Sequence, residues 1–237
     1  MRKKERKVVI PPKIIYQDQE IMVLDKPSGW ITNLASTTKD QPTVEGWLKI
    51  PLERSGIVHR IDKETSGILL VAKTKETFEE LQRQFKERIV KKTYLALAHG
   101  RVESESGVIK EPVGRLPWRR DRFGVLPGGR EAETAYKVIK HYKKDNDEFS
   151  LVELNPKTGR THQIRIHLKH IGHPIVSDEF YAGRKTARHD RKWCPRLFLH
   201  ASGIIFIHPK TDKEVTFKSE LPEDLASSLH VFTDSLV

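Results

Sequence analysis

The stretch VHRIDKETSGILLVAK, residues 58–73, sets a charge-dense segment directly against an apolar run, with Asp62 between Arg60 and Lys63. Thr65, Ser66 and Gly67 follow as turn formers, so the sequence predicts a loop bonded to its own backbone at the mouth of a buried strand. A carboxylate held there stays ionised, because a cation at ~4 Å is worth ~4 kcal/mol at an effective dielectric of ~20. An ionised, fixed carboxylate can trap or steady a cationic centre and be expelled again. On residue chemistry alone, the same segment reads equally well as a salt-bridged surface turn.

Other chemistries lose support. The run His162, His167, His170, His173 has the residue type of a metal site, but no H-E-x-x-H occurs, and these spacings do not converge on one helical face with a carboxylate. No metal is expected. There is no phosphate loop, no dinucleotide fingerprint and no nucleophile elbow, so nucleotide hydrolysis and nicotinamide chemistry lose support. One cysteine, Cys194, allows no internal disulfide. The chain carries no secretory h-region and no run near the ~20 apolar residues of a membrane span, so a cytoplasmic protein is expected.

The elements that must position Asp62 read as strands at 20–24, 68–72, 93–98, 133–142, 149–154, 203–207 and 214–218. A helix is expected from Lys75 to about Ile89, capped by Thr74, with Phe78, Leu81, Phe85 and Ile89 on one stripe. A second starts at Thr161 as its cap and stops at Gly172, and a third runs from Pro222 to His230. Too few helices separate the strands for repeated βαβ units. The fold class is therefore α+β, a mixed, largely antiparallel sheet with a few helices.

The net charge of +11 is concentrated. Residues 1–7, 110–130 and 182–196 carry five, six and six basic residues against one, two and one acidic, and the rest of the chain is about neutral. Trp118, Phe123 and Trp193 interleave with these cations, a composition suited to phosphates and unstacked bases.

The residues also carry a resemblance. His59-Arg60-Ile61-Asp62-Lys63-Glu64-Thr65-Ser66-Gly67 resembles the HR(L/I)DxxTSG signature of the RluA-type RNA pseudouridine synthases. Upstream, Asp25-Lys26-Pro27-Ser28-Gly29 is similar to the family's first motif, and Lys92-Thr93-Tyr94-Leu95-Ala96 to its K-x-Y-x-A segment. Thr158-Gly159-Arg160-Thr161-His162-Gln163-Ile164-Arg165 and Gly172-His173-Pro174-Ile175 continue the match, with Leu199-His200-Ala201 and His208-Pro209 beyond.

The resemblance implies a pseudouridine synthase catalytic domain over 13–237 with its RNA cleft across the sheet, preceded by a basic tail at 1–12, without an S4-type domain. It implies cofactor-independent isomerisation of uridine in ribosomal or transfer RNA by an enzyme expected to be monomeric. Asp62 matches the essential aspartate, Arg165 the arginine that pairs with it, and Tyr94 the tyrosine that stacks on the target base. The base must be flipped out, and Arg60 matches the position that fills the vacated space. Lys26, Arg115, Arg160, Thr161, His162 and Gln163 are expected to contact RNA, the last four at a helix N-terminus that favours phosphate. The sequence departs from the family at Trp30-Ile31-Thr32-Asn33, where an apolar stretch ending in histidine is usual, and at Ser177, where glycine is usual. The alternative is a non-catalytic RNA-binding or chaperone protein with a vestigial site.

Overall fold

The computed structural model describes residues 10–35, 38, 41–117 and 119–232. Segment 1–7 and Trp118 fall outside that range, and of the expected tail only 10–12 are described. In chain order the elements are β1 (Lys13–Gln17), β2 (Ile21–Lys26), α1 (Val44–Leu48), β3 (Ser66–Ala72), α2 (Lys75–Lys86), β4 (Lys91–His99), β5 (Ser106–Ile109) and β6 (Val113–Leu116). There follow β7 (Arg119–Val125), β8 (Thr134–Lys144), β9 (Asp147–Pro156), α3 (Gln163–His170), α4 (Arg184–Asp190), β10 (Leu199–Ile207), β11 (Glu214–Lys218) and α5 (Glu223–Leu229).

The main sheet runs β1-β2-β3-β10-β4-β9-β8-β5, with β11 on β10, and β6–β7 is a separate hairpin. Among the described strand pairs of this sheet only β3 with β10 is parallel, so the sheet is mixed and largely antiparallel, as expected. Every residue of β3 is buried. Ile68, Leu70 and Ala72 pack against Phe78 and Leu81 of α2 and Phe206 of β10, while Leu69 and Val71 pack with Leu24, Val44 and Ile57. Cover on both faces is why this strand reads as an unbroken apolar run. A larger core joins Leu97, Val152 and Leu154 of β4 and β9 to Ile164 and Leu168 of α3 and Leu225 of α5.

The β3–β10 seam fixes the Asp62 loop. Gly67 has φ +111°, and a Cβ there would stand 2.2 Å from the Ala201 carbonyl oxygen, so only glycine lets the strands close. Beside it Ser66 Oγ and His200 Nδ1 lie 3.0 Å apart, and His200 Nε2 faces the Ser219 carbonyl at 3.2 Å. That carbonyl places the ring proton on Nε2, so Ser66 donates to Nδ1.

Two helix ends differ from the sequence reading. α2 stops at Lys86 rather than near Ile89, because Arg88 adopts φ +63° and the N–H groups of Arg88 and Ile89 turn back to the carbonyls of Phe85 and Gln84. That is a Schellman stop without its customary glycine. The cap of α3 is His162, at φ 56° with no side-chain capping bond, and not Thr161. Its other end closes at Gly172 as expected, with His173 N–H on the Leu168 carbonyl at 2.9 Å.

Candidate active site

A cavity of about 480 Å³ opens where the Asp62 loop, the start of β4 and the β9–α3 connection meet. Its lining includes Arg60, Asp62, Thr65, Lys92, Tyr94 and Arg165, a size and mixture typical of a ligand site. Asp62, Tyr94 and Arg165, far apart in sequence, share this cavity.

The loop is braced from behind. Lys26 Nζ donates to the carbonyls of Pro27 (3.0 Å), Trp30 (2.8 Å) and Lys63 (3.4 Å). Ser28 Oγ donates to the Glu64 carbonyl, Gly29 N–H to the Lys63 carbonyl, and Thr32 Oγ1 to the Ile61 carbonyl. The Asp25–Gly29 motif thus serves as a clamp on the backbone around Asp62. Lys26 is 0% exposed, which corrects its expected place in an RNA cleft: its ammonium neutralises carbonyl dipoles inside the protein. Burial pulls it down to about 7, against the opposing charges of Asp62 and Asp25.

His59 is half-buried and its role is local. Its Nε2 accepts the Leu70 N–H at 2.9 Å, closing the edge of β3 beyond the β10 pairing, and its ring stacks on Phe85. Burial, then the charge of Lys92, lowers it to about 3, so the ring is the neutral acceptor that this bond requires. Arg60, next in sequence, is exposed at the cavity rim.

Arg165 is the hub. Its Nε and Nη2 meet Asp178 Oδ2 and Oδ1, each at 2.8 Å, while Asp62 Oδ2 lies 3.7 Å from Nη1 and Glu64 Oε2 3.4 Å from Nη2. Burial alone would lower the guanidinium; the hydrogen bonds and charge of Asp178, with Asp62 and Glu64, hold it above the ordinary arginine value. Arg165 does pair with Asp62, yet its tight bidentate partner is Asp178. Burial raises Glu64 against the pull of Arg165. Tyr94 is held above the ordinary phenol value by burial and then by Asp62, so it stands in the site as a neutral ring and proton donor.

His162 Nε2 lies 3.8 Å from Asp62, and its Nδ1 is 2.9 Å from Tyr181 Oη. Burial keeps it below the usual imidazole value, against the charge of Asp62. Phe123, Phe180 and Tyr181 surround its ring. The remaining histidines go elsewhere: His167 to Thr134 and the Glu111 carbonyl, His173 to the His99 carbonyl, His170 towards Glu111.

Arg160 and Thr161 line the cavity, and Arg160 Nε donates to the Glu131 carbonyl. Gln163 is a correction: buried, it accepts from Thr158 Oγ1 and Arg160 N–H and donates to the Glu133 carbonyl and Thr134 Oγ1, leaving its amide no bond for RNA. Arg115 lies outside the cavity on β6, exposed, its guanidinium 5.0 Å from the Phe123 ring. Asp178, Glu64, Tyr181, Phe180 and Lys92 were not singled out by sequence reasoning. Lys92 and Glu64 stood inside recognised motifs; Asp178, Phe180 and Tyr181 carried no signal beyond proximity to the Gly172–Ile175 motif.

A family model described as RNA pseudouridylate synthase matches residues 20–170. The ribosomal large subunit pseudouridine synthase D of Nitrosomonas europaea is 37% identical over 229 residues, covering 93% of this chain and 65% of that protein. The protein of the same name from Pseudomonas aeruginosa is 35% identical over 225 residues, covering 90% of this chain and 69% of its own length. The chain spans about two thirds of the length of these curated relatives. Among solved structures, human RNA pseudouridylate synthase domain containing 1 superposes with a TM-score of 0.73 at 26% identity, covering 98% of this chain and 92% of its own. Motifs, fold and relatives agree: the chain belongs to the RNA pseudouridylate synthase family, in its RluA type.

Proposed function

We propose that this protein isomerises uridine to pseudouridine in structured RNA without a cofactor, with ribosomal RNA as the substrate class named for its relatives. The observation that carries the reading is Asp62, 19% exposed, aimed into a cavity beside a buried arginine and a buried tyrosine, on a loop clamped by residues 26–32. The Arg165 guanidinium, 3.7 Å away, sets an opposite charge beside the carboxylate. In the reaction N1–C1′ breaks, C5–C1′ forms, and the C5 proton is exchanged for one on N1. An anionic carboxylate serves the cationic sugar carbon and then leaves, as in retaining glycosidases. Tyr94 stacks on the extruded base, and Arg60 at the rim takes the space the base vacates.

Residues 13–237 act as the catalytic domain in a cytoplasmic setting. Arg54, Arg60, Arg88, Lys157 and Arg160 around the mouth provide positive charge for the RNA backbone. The test maps pseudouridine at single-nucleotide resolution in ribosomal and transfer RNA from cells with and without this protein, complemented by wild type or Asp62→Ala. Loss of one or a few sites, restored by wild type alone, is expected. Restoration by Asp62→Ala would favour a role in binding only.

A further inference from the structure

Lys92 is the second residue of β4, two before Tyr94, and side chains two apart on a strand share a face, so both enter the cavity. Several of the surrounding cations are already engaged, while Arg60, Lys86 and Arg88 stand exposed at the rim. Lys26 is wrapped by carbonyls, Arg165 by carboxylates, Arg160 by the Glu131 carbonyl, and Lys157 Nζ lies 3.4 Å from Glu133. Lys92 Nζ has neither a carboxylate within 4 Å nor a hydrogen-bond acceptor among the described residues. Burial with no compensating anion lowers it to about 8, so the ammonium is held at a cost that an arriving anion would remove.

Gly159 supplies the second observation. Its φ lies outside the left-handed region, and a Cβ built on it would meet nothing within 4 Å except Lys92 Nζ, at 3.9 Å. The backbone conformation therefore does not require glycine, and no protein neighbour does either. The missing side chain leaves open space against an unpaired ammonium, between the cavity-lining Lys157 and Arg160.

We infer that Lys92 and the bare backbone of Gly159 form a seat for one RNA phosphodiester group next to the target nucleotide. This rests on the function proposed above and adds a specific anchor to it. The seat acts on binding, so Lys92 is a positioning residue rather than a participant in bond exchange.

The experiment uses the full chain and an RNA that wild type converts, comparing wild type, Lys92→Gln, Lys92→Arg and Gly159→Ala. Affinity is measured between 50 and 300 mM salt and from pH 6.5 to 9.5, with single-turnover rates at saturating RNA. One lost phosphate contact lowers the slope of log K against log salt by about 0.7 to 0.9. Lys92→Gln is expected to show that loss and a roughly 5- to 10-fold weaker Kd, with the saturating rate within about 3-fold of wild type. Wild-type affinity should fall as pH rises through and above 8, because the ammonium loses its proton, while Lys92→Arg stays flat. Gly159→Ala should keep its Tm and lose affinity. An unchanged salt slope in Lys92→Gln, or a collapse of the saturating rate without a change in slope, overturns the seat. If wild type converts no RNA the functional reading fails, and the binding slopes still decide whether Lys92 holds a phosphate.

Discussion

Asp178→Asn tests the hub on which the site geometry depends. Asp178 Oδ1 accepts from Arg165 Nη2 (2.8 Å) and the N–H groups of Phe180 (2.9 Å) and Tyr181 (3.2 Å), while Oδ2 accepts from Arg165 Nε (2.8 Å). An asparagine keeps three of these bonds by leaving its oxygen in the Oδ1 place. Its Nδ2 then faces Arg165 Nε–H, donor against donor. The loss of one charge-assisted hydrogen bond costs about 1.5–3 kcal/mol, and breaking a buried ion pair outright costs about 3–5 kcal/mol. Asp62 and Glu64 still face the guanidinium, so the charge is not stranded and the lower range applies. We expect a destabilisation of about 2–3 kcal/mol and a Tm lower by roughly 4–12 °C for a chain of this length. Denaturant unfolding of wild type, Asp178→Asn, Arg165→Gln and the double variant would give the coupling. A value above about 1 kcal/mol is expected, together with a fall in turnover at unchanged RNA affinity as Arg165 shifts towards Asp62. Coupling below about 0.5 kcal/mol would refute the hub.

His59 and Thr65 give two further tests. His59 is pushed below its unfolded value, so its contribution is complete above about pH 6.5 and is lost as pH falls towards 3. Between pH 6.5 and 5 wild type should lose roughly 2 kcal/mol that His59→Gln does not lose, measured as the difference in their unfolding free energies; a constant difference refutes the neutral acceptor. Thr65 Oγ1 is buried without a hydrogen-bond partner, so Thr65→Val should leave the unfolding free energy unchanged or raise it by up to about 1 kcal/mol. A fall of more than ~1 kcal/mol would mean that the hydroxyl is paired in solution.

The sequence was most informative where burial and periodicity coincide. All seven expected strands are present within a few residues, because each carries an apolar face or a doubly covered run like Ile68–Ala72. Strands β1 and β5, helices α1 and α4 and the β6–β7 hairpin went unforeseen; β1 is exposed at every position, and the two helices span five and seven residues. The stop of α2 used an arginine in a glycine's place, which no residue pattern signals. Among site residues, the cavity gathers Asp62, Tyr94 and Arg165, and long-range geometry decided the rest. Lys26 and Gln163 have the chemistry of RNA ligands, but their strand and helix faces turn inward and their polar atoms are consumed by backbone groups and, for Gln163, by two threonine hydroxyls as well. Ser177 adopts φ +61°, the conformation for which glycine is usual, and anchors the strain by donating its Oγ to the Cys194 carbonyl at 2.7 Å.

The insertion of β10 between β3 and β4 also dictates when this protein can first work. The segments 13–72 and 91–156 form ribbons that can each pair locally as they are made, yet within the sheet the strand at 199–207 is what hydrogen-bonds one ribbon to the other. Asp62 belongs to one ribbon and Tyr94 to the other. On a translating ribosome adding roughly 5–20 residues per second, the carboxylate and the tyrosine wait several seconds for the strand that joins them. Until residues 199–207 have been made, the nascent chain holds Asp62 and Tyr94 on two ribbons that the sheet has not yet joined. Such late, non-local closure is slow to form. It also ties the arrival of catalysis to the completion of the sheet.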